Sequence, residues 1–205
     1  MASAVPRAPR GRGRGRPTVL DPEAVGAEAL RLWAEHGYGN VGWEDISAAT
    51  GVSVRTLMRH FPAKSALAWV GVPAATRRLI DAFGALPLDM PLADVLRAAV
   101  VASVSNDVLT RRASAQWRRI IAAEPELSMA SVRAYAPWVE ALAEEIARRR
   151  PDAPATVCQA IAAACREATN GALLEWAENG AQGSPAHAVD TVLRWLDIRI
   201  TAPAP

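Results

Sequence analysis

The side chains with an evident chemical task in this 205-residue sequence fall in two short stretches, and both suit a polyanion. Ahead of residue 17, Arg7, Arg10, Arg12, Arg14 and Arg16 alternate with glycine and proline. A guanidinium presents several N–H donors in a planar fork, and glycine neighbours let it enter a narrow groove without obstruction. The run from Arg10 to Pro17 thus has the form of an A·T hook, which would lie in the minor groove where A·T-rich duplex concentrates negative potential. The same composition also suits a solubilising tail or an RNA-binding Gly-Arg segment. In the second stretch Ser53, Arg55, Thr56, Arg59, His60 and Lys64 lie close together. Arginine can fork onto guanine O6 and N7, threonine can bond a base edge or touch a thymine methyl, and lysine can hold a phosphate. Lys64 is the only lysine among 23 basic residues.

Other chemistries find no residues arranged for them. His36, His60 and His187 are far apart and have no cysteine or carboxylate at ligand spacing, so no metal site is expected. The serines lie in no nucleophile motif, so no catalytic residue, enzyme activity or cofactor is expected. The glycines of the arm follow no strand and enter no βαβ frame, which excludes a dinucleotide fingerprint. Cys158 and Cys165 are two turns apart on one helical face, the placing of two small buried side chains. Glu144 and Glu145, with Arg148 to Arg150, read as a solvated face and a helix end matched to its dipole. Trp69, Trp117, Trp138 and Trp176 are spread through the larger part of the chain, with Gln116, Met129 and Tyr135 near them. Taken singly, each is more readily explained as core.

The elements that must position these groups are helices. Hydrophobic residues make up 51% of the chain, Ala, Leu, Glu and Arg dominate, and the β-branched and aromatic runs of strands are missing, so the fold class is all-α. Asp21-Pro22-Glu23 opens a first helix whose periodic positions are Val25, Ala29, Leu32, Trp33 and His36, and Gly37 closes it. After the turn Gly37 to Asn40, Glu44 and Asp45 begin a short second helix with Ile46 and Ala49 inward and Gly51 as its stop. Ser53 caps a third, through about His60, with Val54, Leu57 and Phe61 on its packed side; Pro62 breaks it. A fourth runs from Lys64 to about Phe83, with Pro73 as a kink or brief break. Further helices are expected at 92–109, 111–123, 126–150 (kinked or restarted at Pro137), 154–179 and 185–200, about nine in all. The domains expected are a flexible arm at 1–17, a head of short helices at 18–66, a larger helical body at 67–201 and a tail at 202–205. No run of about 18 apolar residues could span a bilayer, and the basic N-terminus runs into glycine and proline, so a cytoplasmic protein without a membrane partner is expected.

Two short helices around Gly51-Val52-Ser53, locked by Ile46, Ala49, Val52 and Leu57, make a helix-turn-helix or a plain three-helix core. Spacing alone leaves both open; the polar third helix favours the first. The stretch from Ala34 to Leu67, AEHGYGNVGWEDISAATGVSVRTLMRHFPAKSAL, closely resembles the DNA-binding signature of the TetR family of transcription regulators. The resemblance implies that Ser53, Arg55, Thr56, Arg59 and His60 belong to a recognition helix in the major groove and that Lys64 lies beside the DNA backbone; joined directly to a helix-turn-helix, the arm arginines Arg10, Arg12, Arg14 and Arg16 read as a DNA clamp. Two positions depart from the family pattern. Met58 stands where many relatives have tyrosine, which puts a core role within its reach. Gly42 and Trp43 stand where many have threonine, leaving the indole N–H of Trp43 as a substitute phosphate donor.

The resemblance also implies a homodimer on double-stranded, (pseudo)palindromic operator DNA, and a repressor released by a small-molecule effector. The effector would bind among central helices, with Trp69, Gln116, Trp117, Met129, Tyr135, Trp138 and Trp176 as candidate lining. Ile161, Ala164 and Ala168, with Val189, Val192, Leu193, Leu196 and Ile200, form two apolar faces that could close a four-helix bundle across a twofold axis; internal packing is the alternative. Two other function classes compete. An architectural DNA-binding protein would bind with steep salt dependence and little sequence preference. An enzyme on a helical scaffold would need an acid-base pair that is missing.

Overall fold

A computed structural model describes residues 20–104 and 117–196. The arm arginines, Gln116, Ile200 and the tail lie outside the described residues. Among the described residues no strand occurs. Helix α1 is Pro22–His36, followed by a 3₁₀ turn at Tyr38–Asn40, then α2 (Trp43–Thr50) and α3 (Val54–His60). A second 3₁₀ segment, Lys64–Trp69, leads to α4 (Val72–Ala85) and α5 (Leu92–Val104). A helical stretch at 117–123 precedes α6 (Pro125–Arg149), α7 (Ala155–Glu178) and α8 (Pro185–Leu193).

The start of α1 follows from its first residues. Asp21 Oδ1 accepts from the backbone N–H groups of Glu23 (3.0 Å) and Ala24 (3.2 Å), and Pro22 needs no N–H partner there. The apolar stripe Val25, Ala29, Leu32 and Trp33 is buried as expected. His36, placed on that stripe by its spacing, is exposed instead, because the last turn has passed the edge of the core. Gly26 lies where α1 meets the Lys64–Trp69 segment: a Cβ there would come within 2.9 Å of the Leu67 carbonyl oxygen and 2.6 Å of Val70 Cγ2. Two backbones therefore approach at a distance that only glycine permits.

The residues expected to form one long helix from Lys64 form two elements. The chain unwinds at Val70 and Gly71, and Pro73 sits in the first turn of α4, where its missing N–H costs nothing. In contrast, α6 runs through Pro137 without a restart. Helix α8 ends at Leu193, short of the expected 200. The Trp195 N–H then bonds the Val192 carbonyl and the Leu196 N–H the Leu193 carbonyl, the i→i+3 pattern of a tightening last turn.

Two hydrophobic clusters hold the molecule. One gathers Val25, Trp33, Tyr38, Ile46, Leu57 and Phe61 from the first three helices and continues through Leu67, Trp69 and Leu127. The other packs α4, α5, α6, α7 and α8 around Leu79, Val95, Val100, Trp138, Leu142 and Ala162. Cys158 and Cys165 are buried in it as free thiols, and burial pushes the Cys165 thiol up to about 11. Val189 and Leu193, offered as dimer residues, are buried in this cluster, since the short α8 turns its larger side chains inward. Glu145 is likewise not on a solvated face: it is 6% exposed, and it accepts from Arg148 Nη2 (2.7 Å) and Arg149 Nε (2.6 Å). Burial opposes its ionisation, yet the bonds from the two arginines outweigh this and hold its carboxyl below the usual range. Among the described residues no helix is long and apolar enough to cross a membrane.

Candidate DNA interface and ligand cavity

The pair α2 and α3 is built by its turn. Gly51 adopts φ +70°, the left-handed region that ends a helix, and its N–H bonds the Ser47 carbonyl. Ser53 caps α3, its Oγ accepting from the Thr56 N–H (3.2 Å) and pairing with Thr56 Oγ1 at 2.9 Å. Ile46 and Leu57 close the angle from within. Ala49, expected inward, is exposed, because the eight-residue α2 buries only Ile46. Arg55, Arg59 and His60 are exposed with Met58, which is 58% exposed and takes no core role. One face of α3 thus presents two arginines, a histidine and a thioether, while its other face is spent on packing. At the start of α2, Asp45 accepts from the Gly42 N–H (2.7 Å), and Trp43 is partly buried against the head cluster.

Lys64 is placed differently from the exposed arginines. Its Nζ donates to the carbonyl oxygens of Tyr38 and Val41, each at 2.7 Å, and stands 4.0 Å from the centre of the Tyr38 ring. Burial lowers its pKa from the ordinary lysine value, against the pull of Glu126 and Glu124. The ammonium thereby ties the chain after α3 to the turn after α1. Tyr38 extends the tie: its hydroxyl donates to Glu126 Oε1 at 2.7 Å, which joins the head to the first turn of α6. Burial, then Glu126, raises the phenol well above its ordinary value, so it stays a donor.

Beyond the head, a cavity of about 160 Å³ opens between α1, the Lys64–Trp69 segment, α4, the 117–123 stretch, α6 and α7. Trp69, Trp117, Tyr135 and Trp176 line it, and Trp138 lines a smaller adjoining cavity that shares Ala75, Ser103, Arg118 and Tyr135. Trp69 meets Trp117 and Tyr135 edge to face, with centroids 5.2 and 5.7 Å apart. The indole N–H of Trp117 donates to the Ala68 carbonyl at 2.9 Å. Of the other expected lining residues, Met129 is 76% exposed and lies away from both cavities. Its neighbours on α6 explain why: Leu127 takes the inward position. On α7, Ala164 is exposed, whereas Ile161 and Ala168, with Val192 in α8 and Leu196 just after it, are partly buried against the body cluster.

Sequence reading missed Arg118. It is 8% exposed, donates from Nη1 to Asn170 Oδ1 at 2.7 Å, and lies 4.6 Å from the centre of the Trp117 ring. Burial lowers its pKa, and Tyr135 works the other way. A signal existed: Arg118 sits between Trp117 and Ile121 with no acidic residue three or four positions away on either side. Arg78, which donates to the Ser103 carbonyl from Nε (3.1 Å) and Nη2 (2.8 Å), also lines the larger cavity.

Comparison with known proteins bears on both regions. Residues 27–68 match the description "Bacterial regulatory proteins, tetR family", and residues 90–200 match "MftR C-terminal domain". MftR of Mycobacterium tuberculosis, named for transcriptional regulation of mycofactocin biosynthesis, is 33% identical over 137 residues, 67% of this chain and 68% of that one. ComR of Escherichia coli K12, named as an HTH-type transcriptional repressor, is 36% identical over 74 residues, 36% of this chain and 33% of that one. Among solved structures, a transcriptional regulator of Pseudomonas aeruginosa PAO1 superposes with a TM-score of 0.57 at 22% identity, over 87% of this chain and 91% of the other. FadR of Thermus thermophilus, a repressor solved with lauroyl-CoA, gives 0.54 at 18% identity over 90% and 99%. Both share the fold.

Proposed function

Since this chain belongs to the TetR family of bacterial regulatory proteins, and is thereby a ligand-responsive DNA-binding transcriptional regulator, we propose that it is a cytoplasmic, non-enzymatic repressor that leaves its operator when a small molecule fills the cavity beside Trp69. The observation that carries this is the segment Lys64–Trp69. Its first residue ties down the turn that holds the helix-turn-helix, and its last forms a wall of the cavity. A ligand that shifts this segment alters the setting of α3. Two such helices in a dimer must match successive major grooves, about 34–36 Å apart, so a small change of setting costs affinity.

In this reading Arg55 and Thr56 meet base edges, Arg59 and His60 meet bases or phosphates, and Ser53 orients Thr56. Trp43 reaches the backbone, and Arg10, Arg12, Arg14 and Arg16 occupy the adjacent minor groove. Lys64 acts by holding the turn. The second copy docks on the small-residue face of α7 that carries Ile161, Ala164 and Ala168, with Val192 and Leu196 beside it, on a (pseudo)palindromic operator. Trp69, Trp117, Tyr135 and Trp176, with Trp138 behind them, enclose the effector.

Fragments selected from the source genome by the purified protein supply the operator for the test. Arg55→Ala and Thr56→Ala should each reduce discrimination between operator and random DNA by about 1–3 kcal/mol. Equal losses on both DNAs would remove the recognition helix from this role. Deleting residues 1–16 should lower affinity and flatten its salt dependence, by about 0.9 in slope for each phosphate that the arm no longer neutralises, with the fold intact. An unchanged slope would take the arm off the DNA.

A further inference from the structure

We propose, resting on the reading of this cavity as the effector site, that the effector is an organic anion: an aromatic or short apolar carboxylate paired with Arg118, its ring among Trp69, Trp117 and Tyr135. Two charged residues among the described ones are buried, and they are treated in opposite ways. Glu145 has two arginines on its oxygens. Arg118 has an amide, a phenol and an indole face around it and no carboxylate among the described residues. A guanidinium held from water among neutral partners is costly, and an anion that completes its planar fork offsets part of that cost.

The surroundings select the ligand's charge and shape. Arg78 also borders the larger cavity, and Glu23 is the only carboxylate among the described residues of that wall, so a cation is disfavoured. A neutral apolar guest would fill the space and leave Arg118 uncompensated. A monoanion balances Arg118, the buried guanidinium that has no carboxylate partner among the described residues. The indole N–H of Trp69, a residue of the same wall, is buried and finds no acceptor among the described residues. The volume of about 160 Å³ is close to the roughly 150 Å³ of an apolar cavity that takes up benzene, so one ring with a short acidic arm fits.

The test compares phenylacetate and 4-phenylbutyrate with their uncharged amides on the full-length protein, read by tryptophan emission and melting temperature, in wild type, Arg118→Gln and Arg118→Lys. Each acid should bind the wild type about tenfold more tightly than its amide, the equivalent of one charge-assisted hydrogen bond. Arg118→Gln should abolish the preference and Arg118→Lys keep part of it. Amides that bind as well as acids, acids that bind Arg118→Gln as well as wild type, or no binding by any of the four would overturn the proposal. The wild-type ratio decides the matter alone if Arg118→Gln does not fold. Operator release separates this proposal from the reading beneath it. Selective acid binding that leaves the operator bound supports the anion site and removes its effector role, whereas release by the amides removes the anion requirement and leaves the effector role standing.

Discussion

Lys64→Ala is expected to loosen the whole DNA-binding head, lowering its stability by about 3 kcal/mol and weakening binding to operator and random DNA alike. The change strands two carbonyl oxygens, of Tyr38 and Val41, that share one ammonium. Hydrogen bonds from a charged donor contribute about 1.5–3 kcal/mol each and are not additive here, because one group makes both. At this chain length the loss corresponds to a fall of roughly 2–4 °C in melting temperature per kcal/mol. Lys64→Met, which keeps the apolar stem beside the Tyr38 ring, should recover part of the packing and none of the two bonds. Circular-dichroism melting and fluorescence anisotropy on both DNAs measure the two effects. An unchanged melting temperature with reduced DNA affinity would put the ammonium on a phosphate instead.

Effector and operator should each weaken the binding of the other by the same factor, within about 5–150-fold, since linkage makes the coupling reciprocal. Trp117→Phe is expected to reduce that factor by about fivefold; because the factor is the ratio of effector affinities on free and operator-bound protein, a loss of affinity common to both cancels from it. The variant keeps an aromatic ring, though a smaller one, on the cavity wall beside Trp69. The indole bond to the Ala68 carbonyl, at 2.9 Å, is removed, and it joins the 117–123 stretch to the segment that continues from Lys64. One hydrogen bond contributes about 1 kcal/mol, which converts to that fivefold change. Effector affinities measured on free and operator-bound protein, for wild type and variant, give the factor directly. A full-strength coupling in Trp117→Phe would show that the signal travels by another route, with the Tyr38–Glu126 bond as the next to remove.

Much of the head was legible because its signals are local. Asp21 and Pro22 start α1, Gly51 ends α2 and Ser53 starts α3, and each acts on backbone groups within four residues. The boundaries expected from those residues are those observed. Exposure was less legible, since a short helix has too few turns to define a face by period alone. Ala49 and His36 each lie about one turn beyond the last buried residue of their helices, Ile46 and Trp33. Val189 and Leu193 were misplaced for a related reason: an apolar stripe says that a face is covered but not by what.

By itself, the sequence determined an all-helical chain, a helix-turn-helix with a polar outer face, and the family, because periodicity, caps and motif spacing are properties of neighbouring residues. Only the tertiary structure decided what Lys64 and Arg118 do. Each is an ordinary basic residue in the chain. Lys64 is made a clamp by carbonyls 23 and 26 residues away, and Arg118 becomes a buried charge beside an asparagine 52 residues away. No local pattern encodes such distances. A charge acquires its role from the dielectric and the partners that folding brings around it.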